Sequence, residues 1–302
     1  MAAVPEVSVI IASYNSRRTI EACLASLENQ NTVRPFEVIV VDSSTDGAGD
    51  LVAERFPGIR LLRFSCRKYP GDARNEGLEC ARAPVIAFTD ADCVAREDYI
   101  GALAEAHRNP APAIGGAIGN HEPACAVSWA SYLCEFTEWM PGGKAGPAGN
   151  LAAANASYKS WVFDVHGKFL EGTYGSDTEF NSRLTRAGNA ILWSPAIGVA
   201  HQSIGGLGHY LQHEFSHSKD CCRVRLRSEG FSPLRRYLYA LATPLIAVKL
   251  FLRLAVRIFR KKTYVSRFLL VSPLVAAGIT LWSAGELVAF LRPEHDPNRH
   301  AR

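Results

Sequence analysis

Two aspartates flanking one small residue, Asp90-Ala91-Asp92, follow directly on the run Val85-Ile-Ala-Phe-Thr89. The run is apolar, β-branched and aromatic, as in a strand buried on both faces, so the acid pair sits at a strand's carboxyl end. In an open α/β sheet ligands bind at that end, and two carboxylates there can hold a hard divalent cation against phosphates. Another carboxylate, Asp177, lies in Tyr174-Gly-Ser-Asp-Thr-Glu-Phe-Asn-Ser-Arg-Leu184, where Ser176 and Glu179 have capping-box spacing. That spacing predicts a helix from Ser176 to Ala187, closed by Gly188, with Asp177 in its first turn. His209, His213 and His217 recur every fourth residue on one predicted helix face, without a nearby acid or cysteine to complete a metal site.

The elements that must position these groups alternate. Val7–Ser13 reads as a first strand, followed by an amphipathic helix to about Gln30. Phe36–Val41 reads as a second strand ending at Asp42, and Ile59–Arg63 as a third, with a helix between them over 47–56. Helices over 72–82 and 97–107 flank the strand into Asp90, and this alternation calls for a parallel, right-handed βαβ sheet. Later segments are less regular. Ala113–Gly119 reads as a strand thinned by glycine, where another backbone or a ligand comes close. Residues 129–140 read as a helix, 141–147 as a loop that could act as a lid, and Trp193–His201 as closing strands.

Composition bounds the class. The 302 residues are 48% hydrophobic and 21% charged, enough for a large core plus an appendage. The eight cysteines show no Cys-x-x-Cys spacing, which fits a reducing compartment. The segment Met1–Glu6 lacks a basic stretch followed by an apolar one, so no secretory leader is expected there. Neither Gly-x-Gly-x-x-Gly after the first strand nor a Walker-type loop occurs, which disfavours dinucleotide and P-loop enzymes.

Four motifs in order carry a resemblance: Val7-Ser-Val-Ile-Ile-Ala-Ser-Tyr-Asn15, Val38-Ile-Val-Val-Asp-Ser-Ser-Thr-Asp-Gly47, Gly71-Asp-Ala-Arg-Asn-Glu-Gly77 and Phe88-Thr-Asp-Ala-Asp92. Together with the Asp177 segment they resemble the signature series of the family 2 glycosyltransferases with the GT-A fold, over roughly residues 5 to 205. The resemblance implies an α/β domain with a mostly parallel central sheet that binds a nucleotide-diphosphate sugar (UDP or GDP). It implies that Asp42 accepts a hydrogen bond from the base, that Ser13 and Tyr14 line the nucleotide pocket, and that Arg74 neutralises the diphosphate. Asp90 and Asp92 would hold Mn2+ or Mg2+, with His201 as a further ligand, and Asn155, in a small-residue stretch, would touch the donor sugar. Asp177 would be the catalytic base of an inverting transfer, since Ser176 stands where the family carries a preceding acid. Asn75 is expected to fix a loop, and Glu179 is the competing carboxylate.

The tail differs from the rest. Between Arg223 and Lys262 eleven Lys and Arg face one acid, Glu229, leaving 22 basic against 28 acidic residues elsewhere. Lys249, Arg253, Arg257 and Lys261 recur every four residues through apolar neighbours, the pattern of a helix lying on anionic lipid rather than of a nucleic-acid binder. Phe268–Leu291 has one ionisable side chain, Glu286, and is long enough to span ~30 Å of hydrocarbon. The expected division is a catalytic domain over 1–222 and a membrane appendage over 223–302: an interfacial helix, then one spanning or re-entrant helix. A spanning hairpin is the alternative, disfavoured by the basic loop at 260–267. The implied acceptor is lipid-linked or an envelope glycan, at the cytoplasmic membrane face. The competing readings are a polyprenyl-phosphate glycosyltransferase, a sugar nucleotidyltransferase and a non-catalytic nucleotide-sugar-binding membrane protein.

Overall fold

The structure is a computed structural model in which residues 4–121, 125–203 and 205–292 are described. The chain falls into two compact units: Met1–Ala124 with Glu138–Ser203, and Cys125–Thr137 with Ile204–Arg302.

The first unit is built on strands β1 (Val7–Ser13), β2 (Phe36–Asp42), β3 (Arg60–Arg63), β4 (Val85–Asp90), β5 (Cys93–Ala95), β6 (Ala113–Asn120), β7 (Gly146–Pro147), β8 (Asn155–Lys159) and β9 (Ile191–His201). They form one sheet in the order β3-β2-β1-β4-β8-β6-β9-β5, with β7 on β9. β1 pairs in parallel with β2 and β4, and β2 with β3. The connections are the expected helices: α1 (Ile20–Glu28), α2 (Ala48–Arg55) and α3 (Pro70–Leu78), with α4 (Tyr99–Ala106) following β5. Beyond β4 the sheet is mixed, since β8 runs antiparallel to both β4 and β6 while β6 and β9 are parallel. The glycine-thinned strand is crowded as expected: a Cβ on Gly116 would lie 2.2 Å from the Asn155 amide nitrogen and 2.4 Å from the Ile197 carbonyl.

One packed aromatic group links the strand bearing the acid pair to the helix bearing Asp177. Phe88 on β4 meets Phe169 edge-on at 5.2 Å, Phe169 meets Phe180 at 4.8 Å, and Phe163 stacks on Phe180 at 5.2 Å. Phe180 belongs to α7 (Ser176–Arg186), which follows the short helix α6 (Trp161–His166). Phe88 and Phe180 are both 0% exposed, and truncating a phenylalanine in such a setting to alanine costs about 3–5 kcal/mol.

The second unit contains α5 (Ala126–Phe136), α8 (Leu207–Ser228), α9 (Pro233–Lys261) and α10 (Val265–Leu291). This unit takes in α5 and α8, which lie before the change of composition at 222/223. α8 packs along α10, with Arg225 Nη2 3.2 Å from Glu286 Oε1, and α5 joins them, with Cys134 Sγ 3.2 Å from Tyr210 Oη. A change of composition marks where apolar helices begin; it does not mark which amphipathic helices they need as partners. α9 and α10 form a helical hairpin joined by a tight turn in which Lys262 and Tyr264 adopt left-handed backbone.

Candidate active site

β1, β2 and β4 deliver their last residues to one end of the sheet, Ser13 pairing with Asp42 and Ala12 with Asp90. The acid pair stands there with two cationic or potentially cationic partners. Arg74 is 6% exposed, and its Nη2 donates to Asp90 Oδ1 at 3.0 Å. His201 Nε2 lies 3.2 Å from Asp92 Oδ2, and His201 Nδ1 lies 3.1 Å from Ser203 Oγ. The side chains of Asp90 and Asp92 remain 34% and 38% exposed, so each keeps oxygen surface open to solvent.

The two carboxyls are driven apart electrically. For Asp90 the loss of water around the carboxyl outweighs Arg74's attraction; with the neighbouring Asp92 adding repulsion, its pKa rises above the ordinary value. For Asp92 the same desolvation is overcome by the charge and hydrogen bond of His201, and its pKa falls. Cys23 and Cys93, both buried beside this pair, have their thiol pKa values pushed up by burial and by the two aspartates, so they are packing groups rather than thiolates.

The Gly-Asp-Ala-Arg-Asn motif on α3 does more than supply Arg74. Asp72 accepts from its own Tyr69 N at 3.0 Å and from Gly172 N at 3.1 Å. Asn75 brackets Phe169, donating to its carbonyl at 3.0 Å and accepting from its N–H at 3.0 Å. The loop entering α7 is thus hung on the same helix that carries Arg74, which is the positioning role expected of Asn75.

Asp177 lies in the first turn of α7, half-buried. Its Oδ2 accepts from Ala153 N at 3.1 Å and its Oδ1 from Thr178 N at 2.8 Å, which fixes the plane of the carboxylate. Ala153 precedes Ala154, whose carbonyl accepts from Thr89 Oγ1 at 3.0 Å, one residue before Asp90. Asp177 and the acid pair therefore share one end of the sheet. The helix begins where expected, but the capping box does not form: Gly175, in left-handed backbone, is the N-cap, and Ser176 is already helical. Glu179 is paired with Arg183 at 2.6 Å, and Arg183 also donates to the carbonyls of His166 and Lys168. The competing carboxylate is thereby held in a structural role.

Asn155, Asp42 and the acid pair each meet protein partners of their own. Asn155 is 2% exposed and donates to the carbonyls of Ala117 at 2.9 Å and Ile197 at 3.2 Å, so it pins the irregularity between β6 and β9. Asp42 is 3% exposed; its Oδ1 accepts from Ser13 Oγ and Ser44 Oγ, both at 2.6 Å, and its Oδ2 faces α2 so closely that a Cβ on Gly49 would lie 2.5 Å away. Asp42 and Ser13 thus cross-tie the strand ends. Among the described residues no three His, Cys, Asp or Glu side chains already converge as a metal cage; Asp90 turns to Arg74 and Asp92 to His201. The donor set fits a hard cation nonetheless, each aspartate presenting exposed oxygen at a shared end of the sheet. Tyr14, 42% exposed, does face outward, and Arg67, unnoticed in the sequence, lies over its ring.

This arrangement defines an α/β domain of the GT-A type. Residues 8–149 match the family model described as Glycosyl transferase family 2. Among curated relatives, the succinoglycan biosynthesis protein ExoO of Rhizobium meliloti is 37% identical over 103 residues, 34% of this chain and 30% of that protein. The chain spans only about a quarter to a third of the leading curated relatives it matches. Two solved structures share the fold along nearly the whole chain. S. aureus TarS 1-349 in complex with UDP-GlcNAc has TM-score 0.55 and 16% identity, covering 96% of this chain and 93% of that one. The mannosyltransferase PcManGT from Pyrobaculum calidifontis, in complex with GDP-Man and Mn2+, has TM-score 0.58 and 18% identity, covering 97% and 89%.

Proposed function

We propose that the protein transfers a sugar, with inversion, from a nucleotide-diphosphate donor to a hydroxyl of a lipid-linked or envelope-glycan acceptor at the cytoplasmic face of a membrane. The observation that carries the reading is the meeting of Asp177, the Arg74–Asp90 pair and the Asp92–His201 pair at one end of the sheet. ExoO's part in succinoglycan synthesis, and the nucleotide sugars held by TarS and PcManGT, point to the same substrate class.

In this reading Arg74, fixed and almost wholly buried, presents positive charge to the donor's diphosphate. Asp177, its plane set by two backbone N–H groups, removes the acceptor hydroxyl's proton as that oxygen attacks the anomeric carbon. The bond from that carbon to the diphosphate oxygen breaks on the opposite face, and the nucleoside diphosphate departs. Mn2+ or Mg2+ held by Asp90 and Asp92, with His201 steadying Asp92, would supply Lewis-acid stabilisation of the leaving diphosphate.

The membrane part rests on α9. Leu238, Leu241, Leu245, Leu252, Val256 and Phe259 are 56%, 80%, 74%, 57%, 47% and 50% exposed, an outward apolar stripe with Lys249, Arg253, Arg257 and Arg260 along one flank. α9 and α10 are both long and apolar enough to cross a membrane, but α10 lies along α8, which carries Lys219, Asp220, Arg223 and Arg225. A helix so charged does not belong in hydrocarbon. α9 lying in the interface, with α10 as the core beneath it, fits these contacts better than a spanning α10.

The test is a product assay. The purified chain with Mn2+ is offered UDP- and GDP-sugars and membrane extract as acceptor, and the anomeric configuration of the product is read by NMR. Inverted glycoside is expected; donor binding with no transfer to any acceptor fraction would leave a non-catalytic binding protein.

A further inference from the structure

With Asp42 closed in, the loops at the ends of β1, β2 and β3 turn a different group outward. Arg67, in the loop after β3, is exposed, and its guanidinium carbon lies 4.4 Å from the Tyr14 ring centroid and 5.0 Å from that of Tyr69. Its Nη2 donates to Tyr174 Oη at 2.6 Å, and the Tyr174 ring meets Tyr69 edge-on at 5.6 Å. The backbone beneath is pinned: Lys68 N donates to Ser43 Oγ at 3.1 Å and Phe64 N to the Asp42 carbonyl at 2.8 Å. Among the described residues no acid pairs with Arg67, whereas its neighbour Lys68 is paired with Glu76 at 2.7 Å.

A guanidinium offers five N–H donors in one plane, and nucleobases stack on such planes as they do on aromatic rings. We infer that Arg67, its plane held on Tyr14, is the base-recognition group of the donor site, its free N–H edge turned to a ring carbonyl of the base, so that uracil or guanine is accepted and adenine is not. The inference rests on the donor reading above and deepens it: base recognition moves from the buried carboxylate to this exposed cation.

Isothermal titration of the full chain in Mn2+ with UDP, GDP, ADP and inorganic pyrophosphate tests it. UDP or GDP is expected to bind at least tenfold more tightly than ADP. Arg67→Ala should weaken the preferred nucleotide tenfold or more while leaving pyrophosphate within twofold, and Arg67→Lys, which keeps the charge without the plane, should recover only part of the loss. Arg67→Ala binding like the parent overturns the inference. An equal loss for pyrophosphate also overturns it, placing the guanidinium on the phosphates. A parent chain that binds no nucleoside diphosphate refutes the donor reading itself and this inference with it. Thermal unfolding of each variant, with Arg67 exposed, should match the parent and so exclude misfolding as the cause.

Discussion

Asp177 and Glu179 are two turn-neighbouring carboxylates with opposite assignments, and the difference lies in what already holds them. Glu179 is locked to Arg183, whereas Asp177 is oriented by backbone donors and faces the end of the sheet where the acid pair stands. Asp177→Asn keeps the shape and should lower turnover by ~10²- to 10⁴-fold with donor affinity nearly unchanged, the loss typical of a positioned general base. Glu179→Gln should stay active. The same variant separates acceptor classes: a polyprenyl phosphate is already anionic and needs no proton removed, so an active Asp177→Asn enzyme would mean a phosphate acceptor. A second expectation is that Asp92→Ala, or EDTA added to the parent, weakens a matching nucleotide sugar by at least tenfold in a binding titration; unchanged affinity in both cases would remove the cation from the site. Residue types and order pointed to Asp90, Asp92, Arg74 and Asp177, and the fold places all four at one end of the sheet. The ties that Asp42 and Asn155 make to their neighbours were not legible, because an acid or amide at a strand end reads alike in sequence whatever it bonds to. Arg67 left no signal, since its meaning comes from three tyrosines, two of them remote in the chain.

At the scale of elements, alternation predicted the parallel half of the sheet well, because each βα unit is local. The mixed half was hidden because β8 and β6 are antiparallel partners whose pairing depends on a distant insertion between β4 and β8 rather than on local pattern. One buried histidine makes this half testable. His107 follows α4, and its Nε2 lies 2.7 Å from Ser157 Oγ on β8. Because Ser157 gives its own proton to the Ile114 carbonyl, Nε2 carries the hydrogen and Nδ1 is left as a bare, buried lone pair. Burial, with Lys159 adding repulsion, pushes the imidazole pKa down to about 4. A histidine held neutral in the fold and ionised when unfolded stabilises fully above pH ~6.5 and progressively less as pH falls toward about 4. Denaturant titrations should lose up to about 3 kcal/mol across that window, and His107→Gln should flatten the acid limb; an unchanged slope would mean that the ring is charged in the fold.

For the whole molecule, the second unit is best tested without removing it, because α5 shares it with α8 and α10. Replacing Leu241, Leu245 and Leu252 together by serine should leave the thermal unfolding midpoint within a few degrees, since the three are exposed, and should abolish cosedimentation with anionic vesicles. A variant that still sediments would place the anchor elsewhere. The sequence showed that the tail was greasy and basic, but not that α5, some 70 residues earlier than α8, belongs with it. That interleaving has a consequence during synthesis. Trp129, Tyr132, Leu133 and Phe136, all 3% exposed or less in the finished protein, emerge from the ribosome long before α8 and α10 exist to cover them. The nascent chain must therefore carry an uncovered aromatic helix through the making of much of its sheet, the interval in which chaperones act on exposed apolar surface. A ribosome-stalled chain ending near residue 203 should be chaperone-bound, and one extended past residue 292 should be released.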